Sequence, residues 1–314
     1  MTQTSSHWAA MEERGIVWGM RFLLRVYLLF GRTFLQIFLY PVVVYYWLVN
    51  REARQASRDY LKRVAKFAPA LGLHGSLWHS YRHFISFANA LVDKLAAWSG
   101  AIKPGDAEFY GKEHLLTLIQ SGRGALLLGS HLGNLEVCRI MAFYEKNVRI
   151  NVLVHTKHAE KFNRVLQQTS DASQLNLIQV TEITAATAHL LSDKIEAGEL
   201  VIMTADRTPV DSQRRVNKVT FLGDEACFPQ GPFILAGLLQ CPVFTLFCLK
   251  QGAKFAIYFD FLSPAPEFTR ATRDRVLQNE IQRYAGKLEA FCLKAPLQWF
   301  NFYNFWHIEE SLNG

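Results

Sequence analysis

The sequence contains few cysteines, and none of them is paired as C-x-x-C. A chain of 314 residues holds five, an odd number, and most lie inside apolar runs: Cys138, Cys227, Cys241, Cys248 and Cys292. This pattern favours reduced, buried thiols in a cytosolic setting and argues against a zinc site. We therefore expect neither a metal site nor another cofactor.

The sequence also lacks the local motifs of several large enzyme classes. It has no glycine-rich phosphate loop, no G-x-S-x-G nucleophile elbow and no H-E-x-x-H metal motif. P-loop, α/β-hydrolase and zinc-protease interpretations lose support for this reason.

Acidic residues are outnumbered by basic ones. The 27 acidic and 34 basic side chains leave a formal net charge of +7 at pH 7. Such a charge favours acidic partners, which include an anionic membrane surface, an acidic carrier protein and nucleic acid. Because no nucleic-acid-binding motif accompanies the charge, we expect lipid and carrier protein as partners, and no nucleic acid.

The N-terminal region is apolar with basic residues at helical spacing. On a continuous helix, four arginines fall within about 40° of one another: Arg14, Arg21, Arg25 and Arg32. The uncharged run Thr33–Val49 follows, near the lower limit of about 17 residues for a membrane helix. We predict membrane attachment by residues 1–70 and one larger domain over residues 71–314. Whether the run spans the membrane or is re-entrant stays open, and a core helix is the alternative for the arginine-bearing segment.

Beyond residue 100, short apolar runs alternate with helical patterns. Predicted strands cover Glu108–Tyr110, Arg149–Val154, Leu175–Val180, Glu199–Thr204, Pro242–Leu249 and Lys254–Leu262, with helices between several of them. This alternation predicts an α/β fold with a mostly parallel sheet flanked by helices and some antiparallel members. Residues Ala226–Leu239 are interpreted as a turn followed by a helix.

The stretch Gly124–Cys138 reads GALLLGSHLGNLEVC and predicts a strand, a tight turn and a helix. His131 stands in the turn, and Glu136 follows five positions later. In one helix these residues would lie about 140° apart, so they can meet only if His131 precedes the helix. A carboxylate beside an imidazole is the arrangement that activates a hydroxyl. The alternative is a histidine that caps the helix while the glutamate faces solvent.

Two neighbouring features complete the candidate site. Asn134, or backbone amides near it, could stabilise an oxyanion at the start of the helix. Asp206 and Arg207 follow the strand Glu199–Thr204, at the sheet edge where α/β proteins bind ligands. Asp206 could instead be a simple turn residue.

GALLLGSHLGNLE resembles the first acyltransferase block of the lysophospholipid acyltransferase superfamily, whose signature is H-x4-D/E. The wording near H-x-G-N-x-E is similar to the bacterial lipid A biosynthesis acyltransferase branch, and the similarity runs over roughly Leu77 to Trp306. YRHFISFANALVDKL, FPQGP and PLQW resemble further blocks of that branch. The resemblance implies Arg164, in the predicted helix Glu160–Gln168, as an arginine near the site, with a surface arginine as the alternative. It also implies that Gly231, in FPQGP, lies beside an acyl-chain groove.

The resemblance implies an acyltransferase at the cytoplasmic face of a bacterial inner membrane. It would move a fatty acyl group from an acyl carrier protein thioester to a hydroxyl of a lipid A-like acceptor. His131 would act as general base and Glu136 would orient it. Coenzyme A as donor stays open, and so does the acceptor: a lysophospholipid, an aminolipid or an aryl-polyene lipid anchor. The N-terminal W-A-A-M-E-E-R-G resembles the aryl-polyene-associated sub-branch. A non-catalytic membrane scaffold with the same fold is the alternative of another class.

Overall fold

A computed structural model describes residues 13–140, 149–154, 175–179, 184–207 and 215–306. The described residues before 100 are mostly helical, and strands and helices alternate over much of the described chain beyond that point, as predicted. The helices are α1 (Glu13–Val49), α2 (Arg51–Phe67), α3 (Leu77–Trp98), α4 (Lys112–Gln120), α5 (Ala185–Glu196), α6 (Gly231–Leu239) and α7 (Arg273–Lys294). The strands are β1 (Ala107–Tyr110), β2 (Ala125–Gly129), β3 (Ile150–Val154), β4 (Leu175–Gln179), β5 (Leu200–Thr204), β6 (Val216–Phe221), β7 (Asp224–Pro229), β8 (Val243–Gln251) and β9 (Lys254–Ser263).

Seven strands form one sheet in the order β1-β9-β8-β2-β5-β3-β4. Only the β8–β9 pairing is antiparallel within this sheet, and the other neighbours run parallel. Strand β2 is buried on both faces: Leu126 and Leu128 join one apolar cluster, whereas Ala125 and Leu127 join the other. A parallel sheet needs such cover on both faces, which explains the continuous apolar run. The predicted α/β fold is confirmed.

The strand order brings the ends of β2 and β5 together. Strand β5 inserts between β2 and β3 and pairs with β2 in a register that sets Gly129 opposite Thr204. The residues that follow these two positions therefore emerge side by side at the carboxyl edge of the sheet.

One local prediction is corrected. Residues Ala226–Pro229, interpreted as the start of a turn and helix, belong to β7, which pairs with β6 in a separate antiparallel sheet. Ala226 and Phe228 are buried while Glu225 is exposed, an alternation of period two that marks a strand. After the His131 turn, where the sequence predicted a helix, residues Leu135–Ile140 form a 3₁₀ helix.

Helix α1 is interrupted at Gly31, where φ is 75°. The calculation that set four arginines on one face assumes a regular helix, so it does not extend through this kink to Arg32. After the kink, α1 packs against α3 and leaves much of its apolar surface exposed. By length and composition alone, Arg25–Val49 is able to cross a membrane. The predicted boundary near residue 70 falls in the short 3₁₀ segment Pro69–Leu71 and stays a prediction.

Candidate functional site

The His131 turn, residues 129–134, continues directly from β2 and is held by hydrogen bonds on both sides. The carbonyl of Gly129 accepts from the Tyr284 hydroxyl at 2.7 Å, and the backbone N–H of Leu132 donates to Ser130 Oγ at 3.1 Å. Gly133 has φ of 71°, and a Cβ there would lie 1.8 Å from the carbonyl oxygen of Cys248 in β8. Glycine is therefore required for the turn to approach β8.

His131 is paired with Asp206 rather than with a residue of its own turn. Its Nδ1 lies 2.8 Å from Asp206 Oδ1, and its backbone N–H donates to Asp206 Oδ2 at 2.8 Å. An ionised carboxylate only accepts, so this contact assigns the proton to Nδ1 and leaves Nε2 as the acceptor. Nε2 has no hydrogen-bond partner among the described residues, and the side chain is 29% exposed. Nε2 of the imidazole is thus positioned to accept a proton from a bound molecule.

Asp206 is fully buried and held from several directions. Its Oδ2 also accepts from Trp299 Nε1 and Asn301 Nδ2, each at 3.0 Å, so Oδ1 faces the imidazole. Burial alone would raise the pKa of Asp206, but the charge and hydrogen bonds of His131, together with Arg207, lower it below the usual 3.8. The carboxylate therefore stays ionised beside the imidazole at neutral pH.

The C-terminal tail, residues 296–306, closes over this pair. Phe300 N–H donates to the His131 carbonyl at 2.9 Å and Gly133 N–H donates to the Gln298 carbonyl at 2.8 Å. Arg207 donates from Nε to Asn301 Oδ1 at 2.7 Å and from Nη2 to the Phe300 carbonyl at 2.9 Å. Arg207, predicted to bind substrate, is thus placed where it fastens the tail.

The structure gives Glu136 a different neighbour from the one predicted. Its carboxylate lies 3.2 Å from Lys94 Nζ of α3, and its backbone N–H donates to Asn134 Oδ1 at 3.2 Å. The position against His131 Nδ1 is taken by Asp206. The role of Glu136 as orienter of His131 stays a prediction.

Two of the other predicted residues, Asn134 and Gly231, are described by the structure. Asn134 Nδ2 donates to the Ala90 carbonyl at 3.0 Å, so both ends of this amide tie the turn within the protein. The backbone N–H groups of residues 131–134 all have acceptors within the protein as well. Gly231 is the first residue of α6, which follows β7. Arg164 and the predicted helix around it lie outside the described residues.

Trp299 and Asn301 are the site residues that sequence reasoning missed. They approach Asp206 from more than ninety positions away in the chain. The available signal was the conspicuous ending PLQWFNFYNFW, in which polar Asn and Gln interrupt an aromatic run. A run of aromatic residues predicts a buried segment. An asparagine buried within such a segment needs a hydrogen-bond partner inside the protein.

A model of the bacterial lipid A biosynthesis acyltransferase family matches residues 83–307, well over half of the chain. No curated protein matches the chain. The matched range contains β2, β5, His131, Asp206 and the whole C-terminal tail, whereas α1 and α2 precede it.

Proposed function

Because the chain belongs to the bacterial lipid A biosynthesis acyltransferase family, we propose that it transfers a fatty acyl group from an acyl carrier protein thioester to a hydroxyl of a membrane lipid. The family supports acyl transfer to a lipid acceptor. One observation supports His131 as the residue that performs the chemistry. Its Nδ1 is hydrogen-bonded to Asp206 at 2.8 Å, which leaves Nε2 directed away from the carboxylate.

The reaction is a direct transfer between two bound substrates. His131 Nε2 takes the proton of the acceptor hydroxyl as its oxygen attacks the thioester carbonyl carbon. The tetrahedral intermediate collapses, the carbon–sulfur bond breaks, and the imidazolium returns the proton to the leaving thiolate. The products are an ester on the lipid and a free thiol on the carrier protein.

Asp206 is proposed as the residue that orients His131 and stabilises the imidazolium. It keeps Nδ1 protonated, and its lowered pKa keeps it negatively charged while the imidazole carries the transferred proton. Glu136 remains the second candidate for this role, because its place in the H-x4-E spacing favours it. Substitution of Asp206 and of Glu136, one at a time, decides which carboxylate orients His131.

Membrane association supports the proposal on the lipid side. The apolar surface of α1 and the net charge of +7 suit a protein held at an anionic membrane surface. We propose the cytoplasmic face of the inner membrane as the site of reaction, because acyl carrier protein thioesters would be supplied there. The five free cysteines agree with a reducing compartment.

Transfer of labelled acyl groups from acyl carrier protein into extracted membrane lipid tests the proposal, and the labelled lipid identifies the acceptor. His131→Ala and Asp206→Asn should each lower kcat/KM by about a hundredfold or more, since the first removes the general base and the second removes the carboxylate that orients it and stabilises the imidazolium. Glu136→Gln should lower it less. Glu113→Gln, on the exposed side of α4, is the matched control and should leave transfer unchanged.

Each outcome has one meaning. Undiminished transfer by His131→Ala would refute the general base. A large loss in Glu136→Gln together with near-normal Asp206→Asn would return the orienting role to Glu136. A wild-type protein that is folded and membrane-bound but transfers no label from carrier protein or coenzyme A would favour the scaffold interpretation.

A further inference from the structure

A cleft of about 550 Å³ lies between α1, α3 and the β8–β9 turn. Its wall includes Gly133 and Asn134, which follow His131 by two and three positions, and Phe300 of the C-terminal tail. His131 and Asp206 are not among its lining residues. The cleft therefore borders the proposed site without being part of the imidazole pair.

Positive charge in this cleft exceeds negative charge. Arg32, Arg82 and Lys250 line it, against one carboxylate, Asp93. Asp93 is 3% exposed and pairs with both Arg32 and Lys250, the latter with Nζ at 3.4 Å from Oδ1. The side chains that line the cleft therefore carry a net charge of about +2.

Among the three cations that line the cleft, Arg82 is the one available to bind an anionic ligand. It is exposed on α3, and it makes no ion pair or hydrogen bond within the described residues. A guanidinium offers a planar set of donors that matches phosphate oxygens. Burial and the nearby Arg32 lower the pKa of Lys250, whereas Asp93 and Asp106 oppose that shift, and an incoming anion would oppose it further.

The outer wall of the cleft is formed by the apolar helix α1. Arg32, Gln36 and Tyr40 line the cleft from α1, while Phe34, Phe38 and Val42 of the same helix are exposed. A molecule that enters from the membrane would thus keep its acyl chains against apolar side chains while its headgroup reaches polar ones.

We propose that this cleft binds a phosphate monoester on the headgroup of the lipid acceptor, with Arg82 and Lys250 as its principal contacts. A monoester carries nearly two negative charges at pH 7, which complements the net positive charge of the residues that line the cleft. Reaching the cleft would place the headgroup beside the His131 turn. The role of this cleft in catalysis rests on the proposed acyl transfer. Binding of the phosphate monoester to the cleft does not depend on it.

The test uses the full chain in non-ionic detergent and the fluorescence of tryptophan, since Trp78 lines the cleft. The probes are dihexanoyl phosphatidic acid, dihexanoyl phosphatidylcholine and inorganic phosphate. Wild type should bind the phosphatidic acid in preference to both others. Arg82→Gln should weaken that binding by about tenfold or more, and Arg82→Glu should weaken it further, because a charge-assisted hydrogen bond is lost and then repulsion is added. Arg275→Gln, an exposed arginine of α7 outside the cleft, is the control and should bind as wild type does.

Three results would contradict the proposed phosphate site. Equal affinity for phosphatidic acid and phosphatidylcholine, or an Arg82→Gln variant that binds normally, would overturn the site. Inorganic phosphate that binds as tightly as the lipid would overturn the headgroup assignment and leave only an anion site.

Transfer kinetics separate this proposal from the proposed function. Arg82→Gln should raise the KM for the acceptor and leave kcat nearly unchanged, whereas His131→Ala should bind phosphatidic acid normally. An acceptor KM unaffected by Arg82→Gln in an active enzyme would overturn the cleft as acceptor site. Normal, Arg82-dependent binding by a protein without transfer activity would support the headgroup site and refute only the acyl transfer.

Discussion

At the scale of single residues, Gly133 decides whether the His131 turn can form. It combines a positive φ with a contact to β8 that leaves no room for a Cβ. Gly133→Ala should therefore destabilise the protein by about 3 kcal/mol or more, because backbone strain and overpacking add. It should also abolish transfer, since the turn carries the imidazole. Denaturant unfolding in detergent and the acyl-transfer assay measure the two effects.

Gly122→Ala is the matched control for that substitution. Gly122 has a similar φ of 75°, but a Cβ there would meet nothing within 4 Å. It should cost only about 1 kcal/mol and leave transfer intact. If the two variants were equally stable, the close approach to β8 would not be the reason for glycine at position 133.

The residues of the site were predictable one at a time, but their pairing was not. His131 and Asp206 were both identified as polar residues at the ends of apolar strands. Local spacing then favoured Glu136 as the partner, because sequence alone does not reveal that β5 lies beside β2 rather than beyond β3. Trp299 and Asn301 were missed for the same reason: their contacts depend on how a distant tail returns to the sheet. Periodicity predicts elements, whereas neighbour relations come from the packing of the whole chain.

At the scale of elements, a row of polar contacts fastens α1 to α3. Gln36 Nε2 donates to Asn89 Oδ1 at 2.6 Å, and the Tyr40 hydroxyl reaches the same oxygen at 3.2 Å. Trp47 Nε1 donates to Ser80 Oγ at 3.2 Å, and Arg32 pairs with Asp93. These residues recur on one face of α1, so that face packs against the protein while other apolar side chains of the helix are exposed.

Asn89→Leu should weaken this attachment, because it leaves Gln36 and Tyr40 without their shared acceptor. We expect a loss of about 1–3 kcal/mol, seen as a lower Tm in detergent and earlier cleavage of α1 by protease. Asn279→Leu, an exposed position on α7, is the control and should change neither. An unchanged Tm and cleavage pattern in Asn89→Leu would show that α1 is held by its apolar contacts alone.

At the scale of the whole molecule, His83 joins three separate parts of the fold. It lies on α3 and is fully buried, its Nε2 donates to the Trp299 carbonyl at 2.9 Å, and Ser57 Oγ of α2 lies 3.1 Å from its Nδ1. Burial lowers the pKa of His83 from 6.5 to about 4, an effect that the bond to Trp299 only partly offsets. The folded protein therefore holds a neutral histidine at the junction of α2, α3 and the tail that supports Asp206.

This histidine should make stability depend on pH over a defined window. Between pH 6.5 and 4 the unfolded chain binds a proton at His83 that the folded protein excludes, so stability falls as the pH falls, by about 3 kcal/mol in total. The lowered pKa of Asp206 acts in the same direction but only below its usual 3.8, so the two effects are separable. Tm measured across this range should decline in the wild-type protein as the pH falls. His189→Gln, which alters an exposed histidine of α5, is the control and should show the same decline. His83→Gln should have a lower Tm at neutral pH and a smaller decline. A His83→Gln variant with the full wild-type slope would assign the pH dependence to other groups. It would also mean that the junction beneath the proposed site tolerates a charged imidazole.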